Sequence, residues 1–154
     1  MVPTRPSTLG ATSVPGRAAP AFVGVLAGAV LVIAVFMPWY ATNLGPPFSA
    51  TSASGWEATT LARLALAAGL VVTVASAALV LDERGAVRLG HRHGDALARV
   101  VVAAGVVAAL LVGFRLIVLP DPAEFLSRQI GLYLAFGAAI GAVLGGLAQV
   151  ATRD

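Results

Sequence analysis

Four long apolar runs dominate the chain and leave few ways for it to fold. They cover about Ala21–Met37, Leu61–Leu81, Ala96–Leu119 and Ile130–Val150. A helix rising 1.5 Å per residue needs about 20 apolar residues to cross a hydrocarbon core of about 30 Å. In lipid the backbone must satisfy its own hydrogen bonds, which leaves helices or closed barrels. None of the runs alternates polar with apolar residues as barrel strands do, so each predicts a helix. The charge content agrees: 11% of residues are charged, against about 25% in a soluble domain. The expected fold is an all-α, integral membrane four-helix bundle of two hairpins. Its helices should lie at about 21–38, 59–82, 95–119 and 128–150 within a membrane domain at 21–151. Residues 1–20, rich in Pro, Ser, Thr and Gly, predict a disordered tail, and 152–154 a short C-terminal one. No small-x-small cleavage pattern follows Pro38, so the first run reads as a retained span rather than a signal peptide.

Orientation follows from the arginines, because loops rich in positive charge stay in the cytoplasm. All ten basic residues are Arg. With the Ala, Gly, Val and Pro bias, that reflects GC-rich coding rather than function. Arg5, Arg17, Arg84, Arg88, Arg92, Arg99 and Arg153 fall on one side; Arg63, Arg115 and Arg128 fall on the other. The tally predicts both termini and the Arg84–Arg92 loop in the cytoplasm of a bacterial cell. The Trp39–Trp56 and Pro120–Arg128 loops then face outward. A net charge of +3 is too thin for a nucleic-acid footprint. The lack of cysteine excludes disulfides, thiolate catalysis and Cys-ligated zinc.

The outward loops carry the candidate functional residues. In Ser54-Gly55-Trp56-Glu57, Ser54 and Glu57 have the spacing of a capping box opening the second helix. Asp121-Pro122-Ala123-Glu124 repeats the pattern for the last helix, with Asp121 as cap, Pro122 at the first helical position and Glu124 at the third. Glu124 and Arg128 are also four apart, in the favourable order for a helix pair. Trp39, Tyr40 and Trp56 sit where aromatic belts form, and serve as interface anchors or as a shared partner surface. Arg63 and Arg115 lie inside spans near the outer face. They must snorkel to lipid headgroups, pair with Asp121 or Glu124 of the other hairpin, or hold an anion.

Small residues four apart let helix backbones approach closely in lipid. Gly137, Gly141 and Gly145 form such a row in the fourth span, with Ala138, Ala142 and Gly146 beside it. Gly105, Ala109 and Gly113 do so in the third, and Gly24 and Gly28 in the first. They read as bundle packing, with the Gly137 row as a candidate surface for a partner or a second copy. His91, His93 and Asp95 make too incomplete a set for zinc. Asp95 reads as the cap of the third span, pairing with Arg99. No acid or histidine lies mid-span and no phosphate loop appears, so no cofactor, metal or catalytic set is expected.

The order "MPWY", "SGWEA", "FRLIVLPDP" and "GLYLAFGAAIGAVLGGL" resembles that of small four-helix integral membrane proteins of actinobacteria. The resemblance covers about residues 22–150. It implies architecture and a plasma-membrane location, and it brings no activity. The two-tryptophan outer loop is also similar to that of claudin-like tetraspan proteins, whose paired loop cysteines this chain lacks. The expected role is a non-enzymatic accessory or structural subunit that contacts membrane lipids and a protein partner or itself. The alternative is a small transporter or channel for an anionic or lipid-like solute, using Arg63 and Arg115.

Overall fold

The structure, a computed structural model, describes residues 18–42, 51–121 and 125–153. The expected disordered stretch before Ala18 and residue Glu124 lie outside the described residues. The elements run in the order α1 (Ala18–Phe36), β1 (Pro38–Thr42), β2 (Ser52–Ser54), α2 (Gly55–Ala58), α3 (Thr60–Glu83), α4 (His91–Ile117), β3 (Leu126–Arg128) and α5 (Ile130–Ala151). Helices α1, α3, α4 and α5 are each long and apolar enough to cross a membrane.

These four helices form a ring. Helix α1 packs against α3 and α5, and α4 packs against the same two. The interior is filled by side chains of modest size, among them Leu31, Val72, Val101, Val112 and Leu132, all fully buried. Small residues set the spacing. A Cβ on Gly24 would run into the Ser76 hydroxyl of α3, and one on Gly28 would lie 2.9 Å from the Gly69 carbonyl. Gly145 of α5 approaches the backbone of Gly24, while Gly105 and Gly146 hold α4 and α5 together through Val143 and Val102.

The Gly137-Gly141-Gly145 row does not run along one interface. Gly145 is buried against α1 and Gly141 meets Ala27, whereas a Cβ on Gly137 would meet nothing. The reason is helical geometry: a step of four residues turns 400°, so each member sits about 40° round from the last. Over two steps the row leaves the interior. Ala138, Ala142 and Gly146 are the members that stay buried.

Away from the sheet, the α3–α4 turn is closed by a Schellman motif. Gly85 takes φ +72°, Ala86 N–H donates to the Leu81 carbonyl and Gly85 N–H to that of Asp82. This left-handed position suits glycine. Asp82 Oδ1 accepts from Leu89 N–H at 2.8 Å, which pins the loop to α3. The other oxygen faces the Arg153 guanidinium at 3.9 Å, and Gly94 leaves room for that side chain to pass. Helix α4 starts a turn earlier than its apolar run, at His91 with Gly90 as N-cap. Asp95 is therefore inside the helix and does not cap it. It makes no ion pair with Arg99, and its Oδ1 is buried without a hydrogen bond.

The four-helix all-α bundle carries one addition that the sequence reading did not include. The two loops at the other end form a three-stranded antiparallel sheet in the order β2-β1-β3. Tyr40 pairs with Arg128, Ala41 with Ser127 and Thr42 with Leu126, so the sheet joins the two hairpins through their backbones.

Candidate functional site

The candidate site is the sheet end of the bundle, and it begins at Pro38. In an unbroken helix the Ala34 carbonyl would accept from the N–H of residue 38, but proline has none. Helix α1 ends at Phe36, where Ala34 O accepts from the Met37 N–H at 3.2 Å, and the indole Nε1–H of Trp39 takes the place of the missing proline N–H, donating to the same carbonyl at 2.8 Å. Trp39 is 0% exposed. The ring lies flat over Gly55, where a Cβ would come within 2.5 Å of its carbons. This is why "MPWY" and "SGWEA" belong together: proline withholds an N–H, tryptophan supplies one in its place, and glycine admits the ring. Trp39 is thus a core residue and not the interface anchor expected of it.

Tyr40 is also buried. Its hydroxyl points at the Arg115 carbonyl near the end of α4, 3.5 Å away. Burial pushes that hydroxyl above its usual pKa, against the opposing pull of the Arg115 and Arg128 charges. At the second edge of β1, Gly131 opens α5 so closely against Pro38 and Met37 that a Cβ would lie 2.6 Å from the Pro38 carbonyl. Gln129 N–H donates to Trp39 O at 2.8 Å.

The Ser54–Glu57 capping box forms as expected. Glu57 Oε2 accepts from the Ser54 N–H at 3.1 Å, and the Ser54 hydroxyl accepts from the Glu57 N–H. It opens only the four-residue α2, however. The cap of the membrane-length α3 is Thr59, whose hydroxyl accepts from Leu61 N–H at 3.0 Å. The cap expected at Asp121 is absent from the last span. Helix α5 starts at Ile130 with Gln129 as N-cap, after strand β3, and Asp121 is exposed. Pro122 and Glu124 lie outside the described residues.

The arginines find partners that sequence spacing did not indicate. Arg115 Nε donates to the same Thr59 hydroxyl at 3.2 Å, tying α4 to the start of α3. Arg128 stands in β3 rather than in a helix. Its Nε donates to Leu116 O at 2.7 Å and its Nη2 to Ile117 O at 3.3 Å. These carbonyls end α4, where a cation is favoured by the helix dipole. Arg63 lies over the Trp56 ring, 4.9 Å from its centroid, and donates from Nε to Trp56 O. Among the described residues no ion pair to Asp121 joins the hairpins; backbone pairing of β1 with β3 does.

What remains outward is a ledge of three side chains. Phe36 stacks on Trp56 with ring centroids 6.0 Å apart, and Arg63 stacks on Trp56 in turn. Phe36 is 57% and Trp56 42% exposed. Of the residues singled out in the sequence, the structure gathers Tyr40 with Arg115 and Trp56 with Arg63. It places Trp39 beneath them and Asp121 apart. Phe36, Gly55, Thr59 and Gln129 escaped the sequence reading. Thr59 alone had a signal, as a Thr directly before an apolar run.

Among the described residues no group of three or more His, Asp or Glu is placed to hold a metal ion. Compared with protein-family models, curated proteins and solved structures, the chain matches none.

Proposed function

We propose that the protein is a non-enzymatic, multi-pass component of a bacterial plasma membrane, with both termini in the cytoplasm. In this reading it is one of the small actinobacterial four-helix proteins that its motifs resemble. It acts as an accessory or structural subunit that holds a partner membrane protein, or a second copy, at the sheet end. The observation that carries this reading is the Phe36–Trp56–Arg63 ledge. Aromatic side chains and arginine dominate binding energy at protein interfaces. Here their orientation is fixed in advance, by the stacking of the three groups and by the bond from Arg63 to Trp56 O. The sheet beneath them couples both hairpins, so a partner at the ledge contacts a preorganised surface rather than a free loop.

The transport alternative draws less support from the geometry. Arg63 lies on the outer surface and Arg115 is tied to Thr59. Between them and the opposite end the interior is closed by Leu31, Val72, Val101 and Leu132, with no polar path for an anion among the described residues.

The test is native mass spectrometry of tagged protein drawn from its own membranes in mild detergent. A stoichiometric second chain, or a discrete oligomer, that is lost in Trp56→Ala while the variant stays folded is the expected result. A lone monomer under conditions that preserve other membrane complexes overturns the proposal.

A further inference from the structure

Arg115 carries a charge that the rest of the protein satisfies only in part. Its Nε donates to the Thr59 hydroxyl. Among the described residues neither of its Nη groups has a hydrogen-bond partner, and no carboxylate lies within ion-pair distance. The side chain is half-buried between the end of α4 and the start of α3. Arg128 brings a second guanidinium to this corner. Its Nε and Nη2 are bound to the Leu116 and Ile117 carbonyls, which leaves Nη1. Tyr40 stands directly opposite Arg128 in the β1–β3 ladder, so the two side chains share one face of the sheet. The Tyr40 hydroxyl is buried, and its acceptor, the Arg115 carbonyl, is 3.5 Å away. That is beyond the usual O–H···O range of about 2.5–3.0 Å. Tyr40 and Arg128 therefore meet the last turn of α4 at the carbonyls of three consecutive residues, beginning with that of Arg115. Both guanidinium charges act on the Tyr40 hydroxyl. The described acids of this end do not neutralise them. Glu57 is held by the Ser54 N–H and hydroxyl, and Asp121 is exposed without an ion pair. Two cations and a buried hydroxyl, with donors to spare and apolar helices beside them, need an anion.

We propose that this corner, between Tyr40, Arg115 and Arg128, binds a phosphate group. Arg115 holds two of its oxygens through Nη1 and Nη2, in the paired geometry that a planar guanidinium offers. Arg128 Nη1 and the Tyr40 hydroxyl donate to the remaining oxygens. Donors from three elements, α4, β3 and β1, suit a tetrahedral oxyanion better than a planar carboxylate. The carbonyls that end α4 would repel an anion, but those of Leu116 and Ile117 are covered by Arg128. The start of α3 at Thr59 also brings the positive end of its dipole beside Arg115. The phosphate comes from solution or from the headgroup of a neighbouring lipid, and the recognition is the same for both. The site is separate from the Phe36–Trp56–Arg63 ledge, and its test succeeds or fails without reference to a protein partner.

The full chain, delipidated in a non-ionic detergent free of phosphate, is titrated with sodium phosphate, dihexanoyl-phosphatidic acid and sodium acetate at constant ionic strength. Isothermal titration calorimetry follows each. One saturable site for a phosphate ligand, and none for acetate, is the expected result. Binding of inorganic phosphate, with or without the lipid, shows that the free ion suffices; binding of the lipid alone assigns the site to a headgroup. Tyr40→Phe should weaken binding by on the order of tenfold, and Arg115→Gln by more. Arg115→Lys keeps the charge without the fork and should also weaken binding by on the order of tenfold; it replaces Arg115→Gln should that variant fail to fold. Arg88→Gln, exposed at the opposite end, should bind as wild type does. No saturable binding of either phosphate ligand up to about 10 mM overturns the proposal. So does acetate bound as tightly as phosphate, unchanged binding in Tyr40→Phe or in a folded Arg115 variant, or an equal loss in Arg88→Gln.

Discussion

Gly55→Ala tests the junction on which the sheet end depends. The new Cβ would stand 2.5 Å from Trp39 Cε2 and 2.8 Å from its Cδ2 and Nε1. Ordinary contact needs roughly 3.5 Å or more, so the indole must recede by about 1 Å. That movement stretches the 2.8 Å bond from Nε1 to Ala34 O past any useful hydrogen-bond length. Overpacking of this kind costs about 1–3 kcal/mol. The buried indole donor, left without a partner, costs about 1–3 kcal/mol more. Replacing glycine within the short helix α2 returns about 0.5–1 kcal/mol. The net expectation is a loss of about 1–5 kcal/mol. The assay is thermal unfolding in detergent, with emission read from Trp39 alone in a Trp56→Phe background. Gly55→Ala should unfold at a clearly lower temperature, and its emission should shift to the red as the ring leaves its dry seat. Unchanged melting and emission would refute the claim that this glycine exists to admit the indole.

Three further outcomes follow from the same geometry. Gly24→Ala drives a methyl group into the Ser76 hydroxyl and to 3.0 Å from Gln149 Nε2, whereas Gly137→Ala meets nothing. The first should destabilise by about 1–3 kcal/mol and the second should be neutral or stabilise by up to about 1 kcal/mol, measured as paired melting curves. Thr59→Ala removes both the cap of α3 and the acceptor of Arg115, and should cost about 1–2 kcal/mol; Thr59→Ser should restore most of it. The Tyr40 hydroxyl has a folded pKa above its unfolded value. Stability should therefore be flat with respect to this group below about pH 10 and fall as pH rises above it. Tyr40→Phe should flatten that alkaline limb in a pH series of melting curves.

The parts of this fold that were legible in the sequence are those set by local periodicity and spacing. Four apolar runs gave four long helices with ends displaced by no more than about one turn, because a long apolar run away from water must satisfy its own backbone, which a helix does within the segment. The Ser54–Glu57 box was legible for the same reason, since both partners lie within one turn. The sheet was not. Its strands are three to five residues long, and β1 finds β3 across more than eighty residues of intervening chain. Pro-Trp-Tyr-Ala-Thr contains strand-forming residues, but Leu-Ser-Arg carries no such mark. Trp39 and Trp56 also have the same local setting, each close to a helix end, yet one is buried and the other exposed. The difference lies in the room that Gly55 leaves for the ring and in the bond from the indole to Ala34 O, which are tertiary facts. The contacts of the arginines at the sheet end were not legible either. Spacing offered Arg63 and Arg115 lipid headgroups, a carboxylate or an anion, and Arg128 a carboxylate, while the structure supplies carbonyls, a hydroxyl and an aromatic face.

That choice of partners has a physical logic. Each long helix ends with carbonyl or N–H groups lacking intrahelical partners, and in apolar surroundings such groups are costly to leave bare. At the sheet end these groups are met by side chains anchored elsewhere in the cap. Trp39 serves the end of α1, Arg128 and Tyr40 the end of α4, and Thr59 the start of α3. A guanidinium bonded to helix carbonyls keeps the dipole's favourable interaction without requiring a carboxylate to be desolvated beside it. The sheet is what places these groups, since β1 carries Trp39 and Tyr40 and β3 carries Arg128. Its main task is therefore to finish the helices. Once that is done, Phe36, Trp56 and Arg63 are the residues at this end whose arrangement the helix ends do not require. A partner surface is accordingly best sought there, on a cap already rigid for other reasons.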